Sequence, residues 1–213
     1  MNTEERISAF INSFDSGNTP FLEELEKSAV DAGIPIIRQE MQSLLKLLLA
    51  IRRPGQILEV GTAVGFSALL MSEYSPRGCK ITTIEKYEKR IPQALENFRR
   101  AGKEEAITLL AGDASAILKE LEGSYDFIFM DAAKGQYLHF LPDILRLMPR
   151  GGLLISDNVL KGGEIMESRY AVTRRDRTIH GRMREYLYEL KRNELLETAI
   201  LPVGDGVTVS VRK

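Results

Sequence analysis

The strongest constraint on the fold is a glycine turn that lies between two apolar runs. The stretch Ile57-Leu-Glu-Val-Gly-Thr-Ala-Val-Gly65 ends an apolar run in such a turn, and a helix-like segment follows. After about 20 further residues, Ile81-Thr-Thr-Ile-Glu85 ends a second apolar run in an acid. This order is typical of a βαβ unit in which the turn and the acid hold the ribose of a nucleotide-like cofactor.

A strand–helix rhythm continues through the middle of the chain. Apolar runs alternate with helical patterns, which predicts an α/β fold with a parallel sheet and helices on both faces. The candidate strands are Gln56–Gly61, Lys80–Glu85, Ile107–Ala111, Phe127–Asp131 and Leu153–Asp157. The candidate helices lie near Phe66–Ser75, Lys89–Ala101, Ser115–Leu121 and Tyr137–Met148.

The two ends of the chain depart from this rhythm. Residues 1–53 are predicted to form N-terminal helices, one of them over Arg38–Arg52 and an earlier one that begins at Pro20. Near the other end, a helix is predicted to start around Thr173. The β-rich runs Leu196–Leu201 and Val207–Arg212 then predict an antiparallel C-terminal hairpin.

Composition narrows the class of protein. A length of 213 residues suits a single domain, and a net charge of -1 argues against a uniformly basic nucleic-acid-binding protein. The single cysteine, Cys79, excludes an intramolecular disulfide framework, so we expect a reducing cytoplasm. The N-terminus shows no signal-peptide pattern, and the longest apolar segment, residues 44–51, is too short to span a bilayer.

The glycine turn favours a cationic cofactor over a dinucleotide. Its spacing is not G-x-G-x-x-G, and the acidic Glu59 fits poorly beside a pyrophosphate. S-adenosylmethionine, which carries an amino group and a sulfonium, fits better. Glu85 is expected to bind the ribose hydroxyls, and Gly112-Asp113-Ala114 to meet the adenine edge. Each residue alone has a structural explanation, but their order at successive strand ends favours the binding site.

Two further strands end in oxygen-bearing side chains. Asp131 follows one, and Asp157 and Asn158 follow the next, so the three are expected to converge on a hard divalent cation such as Mg²⁺. Lys134 lies close enough to reach the same place and, with a metal, would favour deprotonation of a hydroxyl. Taken singly, Asp131 also suits a helix N-cap, Asp157-Asn158 a turn, and Lys134 a solvated surface.

These motifs resemble the cation-dependent O-methyltransferases related to catechol and caffeoyl-CoA O-methyltransferases. The resemblance runs from about Ile34 to the C-terminus and implies a seven-stranded, mostly parallel Rossmann-like sheet in one domain over residues 1–213, usually dimeric. It implies Asp131, Asp157 and Asn158 as metal ligands and Lys134 as the general base. The implied contacts of S-adenosylmethionine are Met41, Glu59, Gly61, Ser67, Glu85, Ala114 and Asp131.

The acceptor remains open between two classes that each offer two adjacent oxygens to a metal. The stretches Asp131–Tyr137, Asp157–Leu160 and Pro202–Gly206 resemble a bacterial subgroup that methylates 5-hydroxyuridine at the tRNA wobble position. The alternatives are a small catechol or a CoA-ester phenol, and a cofactor-binding protein that has lost its activity.

An arginine-rich segment bears on this choice. We expect Arg174, Arg175, Arg177 and Arg182 to contact tRNA phosphates, within a segment that also holds Arg169 and Arg184. Positions 174, 177 and 184 would share one helical face. A solvated helix with local ion pairs would account for the same charges.

Overall fold

The structure, a computed structural model, describes residues 3–168 and 170–213 as eight α-helices, two short 3-10 turns and seven strands. Arg169 of the predicted phosphate-binding segment and residues 1–2 of the predicted N-terminal helices lie outside the described residues. The helices are α1 Thr3–Asn12, α2 Pro20–Asp31, α3 Gln39–Arg52, α4 Phe66–Tyr74, α5 Ile91–Arg100, α6 Ala114–Glu120, α7 Tyr137–Leu147 and α8 Arg177–Arg192. The strands are β1 Gln56–Val60, β2 Lys80–Glu85, β3 Ile107–Ala111, β4 Phe127–Met130, β5 Leu153–Ser156, β6 Leu196–Leu201 and β7 Val207–Arg212.

All seven strands form one sheet in the order β3-β2-β1-β4-β5-β7-β6. The first five strands in this order are parallel, whereas β7 is antiparallel to both β5 and β6. The predicted mostly parallel sheet with an antiparallel C-terminal hairpin is therefore confirmed. The order of the strands reverses between β1 and β4, since β2 and β3 lie on one side of β1 and β4 and β5 on the other. Such a switch point opens a crevice at the carboxyl ends of the strands.

The sheet is buried on both faces because helices cover each of them, and successive side chains of its central strands point to opposite sides. Ile57, Phe127 and Ile155 pack on one face in a cluster that includes residues of α2 to α5. Leu58 and Ile128 pack on the other face with residues of α6 to α8. This double burial explains why these strands are short continuous apolar runs in the sequence.

The helix predicted from Thr173 begins later, at Arg177. Residues 173–176 form a turn, in which Asp176 N donates to Thr173 O at 2.9 Å and the Thr173 hydroxyl donates to the Asp176 carboxylate at 2.6 Å. The spacing of apolar residues does not reveal such a turn, because the turn is stabilised by hydrogen bonds of short polar side chains. The consequence is that Arg174 and Arg175 lie outside the helix.

Among the described residues, we find no helix with both the length and the apolar character needed to cross a bilayer.

Candidate active site

A cavity of about 510 Å³ opens at the carboxyl ends of β1, β2, β4 and β5. It lies at the switch point of the sheet, and its volume is in the range of small-molecule sites. The structure brings all of the predicted catalytic, cofactor and metal residues except Glu59 to this one place, whereas the four predicted RNA-binding arginines do not line it. Those that line the cavity are Met41, Gly61, Ser67, Glu85, Asp113, Ala114, Asp131, Lys134, Asp157 and Asn158.

Gly61 allows the loop after β1 to pass directly against the end of β4. Its φ is +105°, and a Cβ at this position would collide with the backbone carbonyl of Asp131. Gly61 N also donates to Ile84 O at 3.0 Å, which holds the loop to the end of β2. The glycine thus joins three strand ends closely and leaves its own backbone exposed to a ligand in the cavity.

Glu59 lies one layer behind the cavity wall, with no exposed surface. Its carboxylate accepts a hydrogen bond from Ser67 Oγ and another from Thr83 Oγ1, each at 2.5 Å. Thr83 is its neighbour across the β1–β2 ladder, and Thr83 Oγ1 also lies 2.6 Å from Thr62 Oγ1. In this structure the carboxylate of Glu59 holds Ser67 of α4 and Thr83 of β2. The expected direct contact between Glu59 and the cofactor stays a prediction.

Burial raises the pKa of Glu59 to about 7, against the lowering effect of the hydrogen bonds from Ser67 and Thr83. The charges of Asp131 and Glu85 add to the rise. A cation bound in the neighbouring cavity would lower the pKa of this buried carboxyl and favour its ionised form.

Glu85 and Asp113 line the cavity at the carboxyl ends of β2 and β3. Glu85 accepts hydrogen bonds from the backbone N–H groups of Ala63 and Tyr87, each at 2.8 Å, which fix its carboxylate at the cavity edge. Asp113 caps α6 by accepting from Ser115 N at 2.8 Å, and that hydrogen bond lowers the pKa of Asp113. Two oriented carboxylates on this side suit the hydroxyl and amino groups of a nucleoside.

Asp131, Asp157 and Asn158 meet at the ends of β4 and β5. Asn158 Nδ2 donates to Asp131 Oδ1 at 3.2 Å, and Asn158 N donates to Asp157 Oδ1 at 2.6 Å. Asn158 has φ +58°, a left-handed conformation that asparagine tolerates better than most residues. The convergence predicted from two separate strand ends is therefore present in the structure.

The electrostatics of this pair suit a cation. Burial, together with the charge of Asp131, raises the pKa of Asp157 to about 7. Burial likewise raises the pKa of Asp131, although Lys134 and the amide of Asn158 oppose that rise. In the described part of the chain, no group of three or more His, Cys, Asp or Glu side chains is arranged to hold a metal ion. Two carboxylates and one amide oxygen nevertheless form a donor set that fits Mg²⁺, with positions left open for an acceptor.

Lys134 begins a 3-10 turn, Lys134–Gln136, which directly precedes α7. Lys134 lines the same cavity as Asp131 and Asp157, and its charge opposes the rise in the pKa of both acids. Asp131 itself caps no helix, because the residue before the turn is Ala133. The N-cap explanation of Asp131 is therefore wrong, and the turn instead presents Lys134 to the cavity.

The arginines do not form the single helical face that their spacing suggested. Arg177 Nε donates to Val172 O, and Arg184 donates to Ile165 O, so both guanidinium groups bind backbone of the preceding segment. Arg182 is exposed and donates to Gly135 O at 3.2 Å, in the turn that carries Lys134. Arg174 and Arg175 are exposed in the segment that leads into α8.

Two contacts of the loop between β6 and β7 belong to the site and are not predicted by its motifs. The loop between β6 and β7 packs against the metal-ligand candidates, since Val159 N donates to Gly206 O and Leu160 N to Asp205 O, each at 2.9 Å. Asp205 also pairs with Arg38 at 3.0 Å, and both residues line the cavity. Gly206 is the sequence signal of this close approach, because a Cβ at its position would collide with the side chain of Leu160.

Comparisons with known proteins agree with this geometry. The O-methyltransferase family model matches residues 12–213. The caffeoyl-CoA O-methyltransferase of Stellaria longipes is 31% identical over 177 residues, 78% of this chain and 71% of that protein. The catechol O-methyltransferase of Niastella koreensis is 32% identical over 146 residues, 66% of each protein. The solved structure of the SAH-bound methyltransferase PaMTH1 of Podospora anserina superposes with a TM-score of 0.89 at 27% identity, covering 100% of this chain and 97% of that one. The chain therefore belongs to the O-methyltransferase family and is an S-adenosylmethionine-dependent O-methyltransferase.

Proposed function

We propose that this enzyme methylates one of two adjacent oxygens of an acceptor held by a divalent cation, with Mg²⁺ as the natural ion. The observation that carries the proposal is the meeting of Asp131, Asp157 and Asn158 beside Lys134 inside the cavity. Hard oxygen donors with room for further ligands suit a cation that binds a chelating substrate.

The cofactor half of the cavity would be formed by the glycine loop, Glu85 and Asp113. The carboxylate of Glu85 would accept from the ribose hydroxyls, and the segment at Asp113 and Ala114 would lie along the adenine. Met41 and Ser67 would close the cofactor half from α3, which precedes β1 in the chain, and from α4, which follows it. When bound, S-adenosylmethionine supplies an electrophilic methyl group on a sulfonium, and a divalent cation supplies a Lewis acid that favours an ionised acceptor hydroxyl.

Lys134 would act as the general base. In its neutral form the amine accepts the proton of the acceptor hydroxyl, and the oxygen so exposed takes the methyl group from sulfur as S-adenosylhomocysteine leaves. Asp131 and Asp157 would hold the divalent cation, which would supply the Lewis acid that binds the two acceptor oxygens. This assignment is supported by the presence of Lys134, Asp131 and Asp157 in the wall of one cavity.

For the acceptor, we infer 5-hydroxyuridine at the wobble position of tRNA. Its 5-hydroxyl and 4-carbonyl form the adjacent oxygen pair, and a flipped, single-stranded anticodon base can enter a recessed cavity. Arg182 lies next to the turn that carries Lys134, and the exposed Arg174 and Arg175 precede the same helix. A guanidinium group beside the turn of Lys134, with two more exposed in the segment before α8, supports binding of the phosphates that flank such a base.

A small phenol is the second candidate, because the two named relatives are a catechol and a caffeoyl-CoA O-methyltransferase. A catechol presents the same oxygen pair, and the arginines would then meet a CoA phosphate or only solvent. The dimer implied by the family resemblance also stays a prediction.

Transfer of a labelled methyl group separates these acceptors. Purified enzyme is given tRNA that contains 5-hydroxyuridine, the same tRNA with unmodified uridine, or a catechol, each with Mg²⁺ and with EDTA. The proposal predicts Mg²⁺-dependent labelling of the hydroxylated tRNA and none of the unmodified tRNA. Labelling of the catechol alone would overturn the assignment of tRNA as the acceptor. Full activity in EDTA would overturn the requirement for a divalent cation.

A further inference from the structure

The hydroxyl of Tyr137, a residue with no exposed surface, lies between the ends of β4 and β5. It accepts a hydrogen bond from Ala132 N at 3.2 Å. Its proton faces the carbonyl oxygens of Met130 at 3.1 Å and Asp157 at 3.2 Å. These backbone groups lie on both sides of Asp131 and on Asp157 itself, so one phenol contacts the backbone at both candidate metal-binding acids.

The position of this hydroxyl within the β4–β5 ladder is specific. Met130 pairs with Ser156, and the last direct bond of the ladder runs from Asp157 N to Met130 O at 3.0 Å. In a parallel ladder the next bond would run from Ala132 N to Asp157 O. The Tyr137 hydroxyl stands between those two groups, accepting from the first and donating to the second. The two strand ends are therefore separated by one hydroxyl at the level where their acids leave the sheet.

We propose that Tyr137 is a positioning residue that sets the separation of Asp131 and Asp157 for a divalent cation. This inference rests on the metal site of the proposed function. Two carboxylates can share an ion only at a suitable spacing, and groups that fix ligands from behind govern metal affinity. Without the inserted hydroxyl, the ladder would be free to close by one more bond and bring the backbones of the acids together.

Tyr186 offers a matched control. Its ring packs edge-on against that of Tyr137 with centroids 5.5 Å apart, and it too is fully buried. Its hydroxyl lies 2.6 Å from Ser156 Oγ, so it binds a side chain of β5 one residue before Asp157. Tyr186→Phe thus removes a buried hydroxyl beside the same strand without touching the backbone at the acids.

The test compares the full-length wild type with Tyr137→Phe, Tyr186→Phe and Asp157→Asn. Mn²⁺ affinity is measured by electron paramagnetic resonance, and S-adenosylhomocysteine affinity by calorimetry. We expect Tyr137→Phe to weaken Mn²⁺ binding by about tenfold to 100-fold. We expect both affinities of Tyr186→Phe to match the wild type, and binding of S-adenosylhomocysteine by Tyr137→Phe to show that this variant is folded.

The outcomes are distinguishable. Equal Mn²⁺ affinity in Tyr137→Phe and wild type, with loss in Asp157→Asn, would overturn the role of Tyr137 and leave the metal site intact. Wild-type binding that is absent, or unchanged by Asp157→Asn, would overturn the metal site and this inference with it. If Tyr137→Phe is too unstable for titration, the rise of its melting temperature with Mn²⁺ is compared with that of Tyr186→Phe at the same Mn²⁺ concentration. A ligand that binds only the folded state stabilises it by RT ln(1 + [L]/Kd), so weaker binding gives a smaller rise. An equal rise in the two variants would overturn the inference.

Discussion

The side-chain amide of Asn158 lies 3.2 Å from Oδ1 of Asp131, although the two residues are 27 positions apart. They leave neighbouring parallel strands at the same edge of the sheet, so their contact follows from the topology. In this arrangement the amide nitrogen faces the carboxylate. Rotation of the amide would turn its oxygen to the same point and provide a third hard donor beside two carboxylates.

The close approach at Gly61 predicts a strong effect of one methyl group. Gly61→Ala should destabilise the fold by more than the roughly 1–3 kcal/mol of backbone strain alone, because its Cβ would meet the carbonyl of Asp131. It should also abolish cofactor binding, since the loop after β1 would move. Thermal unfolding and calorimetry with S-adenosylhomocysteine measure both effects.

Gly78→Ala is the control for the variant at Gly61. Gly78 has φ +87° but open space around its Cβ position, so its substitution carries the backbone strain without the collision. Equal losses of stability in the two variants would contradict the packing explanation.

Burial of Glu59 predicts a pH dependence of stability. The pKa of Glu59 in the folded protein, about 7, lies above the ordinary value of 4.5. The neutral carboxyl therefore contributes fully to the free energy of unfolding below pH 4.5, and this contribution is lost as the pH rises through 7. The change is on the order of 3 kcal/mol. Glu59→Gln keeps the shape and removes the titration, so the free energy of unfolding should fall less between pH 4.5 and 7.5 than in the wild type. Parallel pH profiles from urea titrations of the two proteins would refute this account of Glu59.

The position of Lys134 predicts a loss of turnover without a loss of binding. Lys134→Gln should lower kcat by about 10²- to 10⁴-fold, because the variant lacks the amine that takes the acceptor proton. Affinity for S-adenosylhomocysteine should be unchanged. The control is Lys119→Gln, at an exposed position of α6. A kcat of Lys134→Gln close to that of the control would show that another group removes the proton.

The exposed arginines before α8 predict a salt-dependent contribution to tRNA binding. Arg174→Ala combined with Arg175→Ala should weaken binding and flatten the dependence of log K on log salt concentration, because fewer counterions are released. The matched control is Arg77→Ala with Arg150→Ala, two exposed arginines that precede β2 and β5 at the opposite end of the sheet. Filter binding over a range of KCl concentrations would contradict the prediction if both double variants behaved alike.

Much of the fold was predictable because buried parallel strands are continuous apolar runs with clear ends. The bounds predicted for β2 and β3 agree with the structure, since Glu85 and Gly112 mark where each run stops. The start of α8 was not predictable from periodicity, because the Thr173–Asp176 turn depends on a local side-chain hydrogen bond.

The site was predictable as a set of strand ends but not in its supporting contacts. Asp131 and Asp157 follow neighbouring strands, and their convergence follows from parallel topology alone. The enclosure of Glu59 by Ser67 and Thr83 depends on strand register, and the insertion of Tyr137 between β4 and β5 depends on how α7 packs. Neither relationship has a sequence signal of its own.

The measurement that tests the central claim most directly is anomalous diffraction from crystals of the enzyme grown with S-adenosylhomocysteine and Mn²⁺. The account predicts an anomalous peak bounded by the side-chain oxygens of Asp131, Asp157 and Asn158, and the loss of that peak in Asp157→Asn. A well-ordered cofactor with no anomalous density among these three side chains, together with methyl transfer that persists in EDTA, would contradict it.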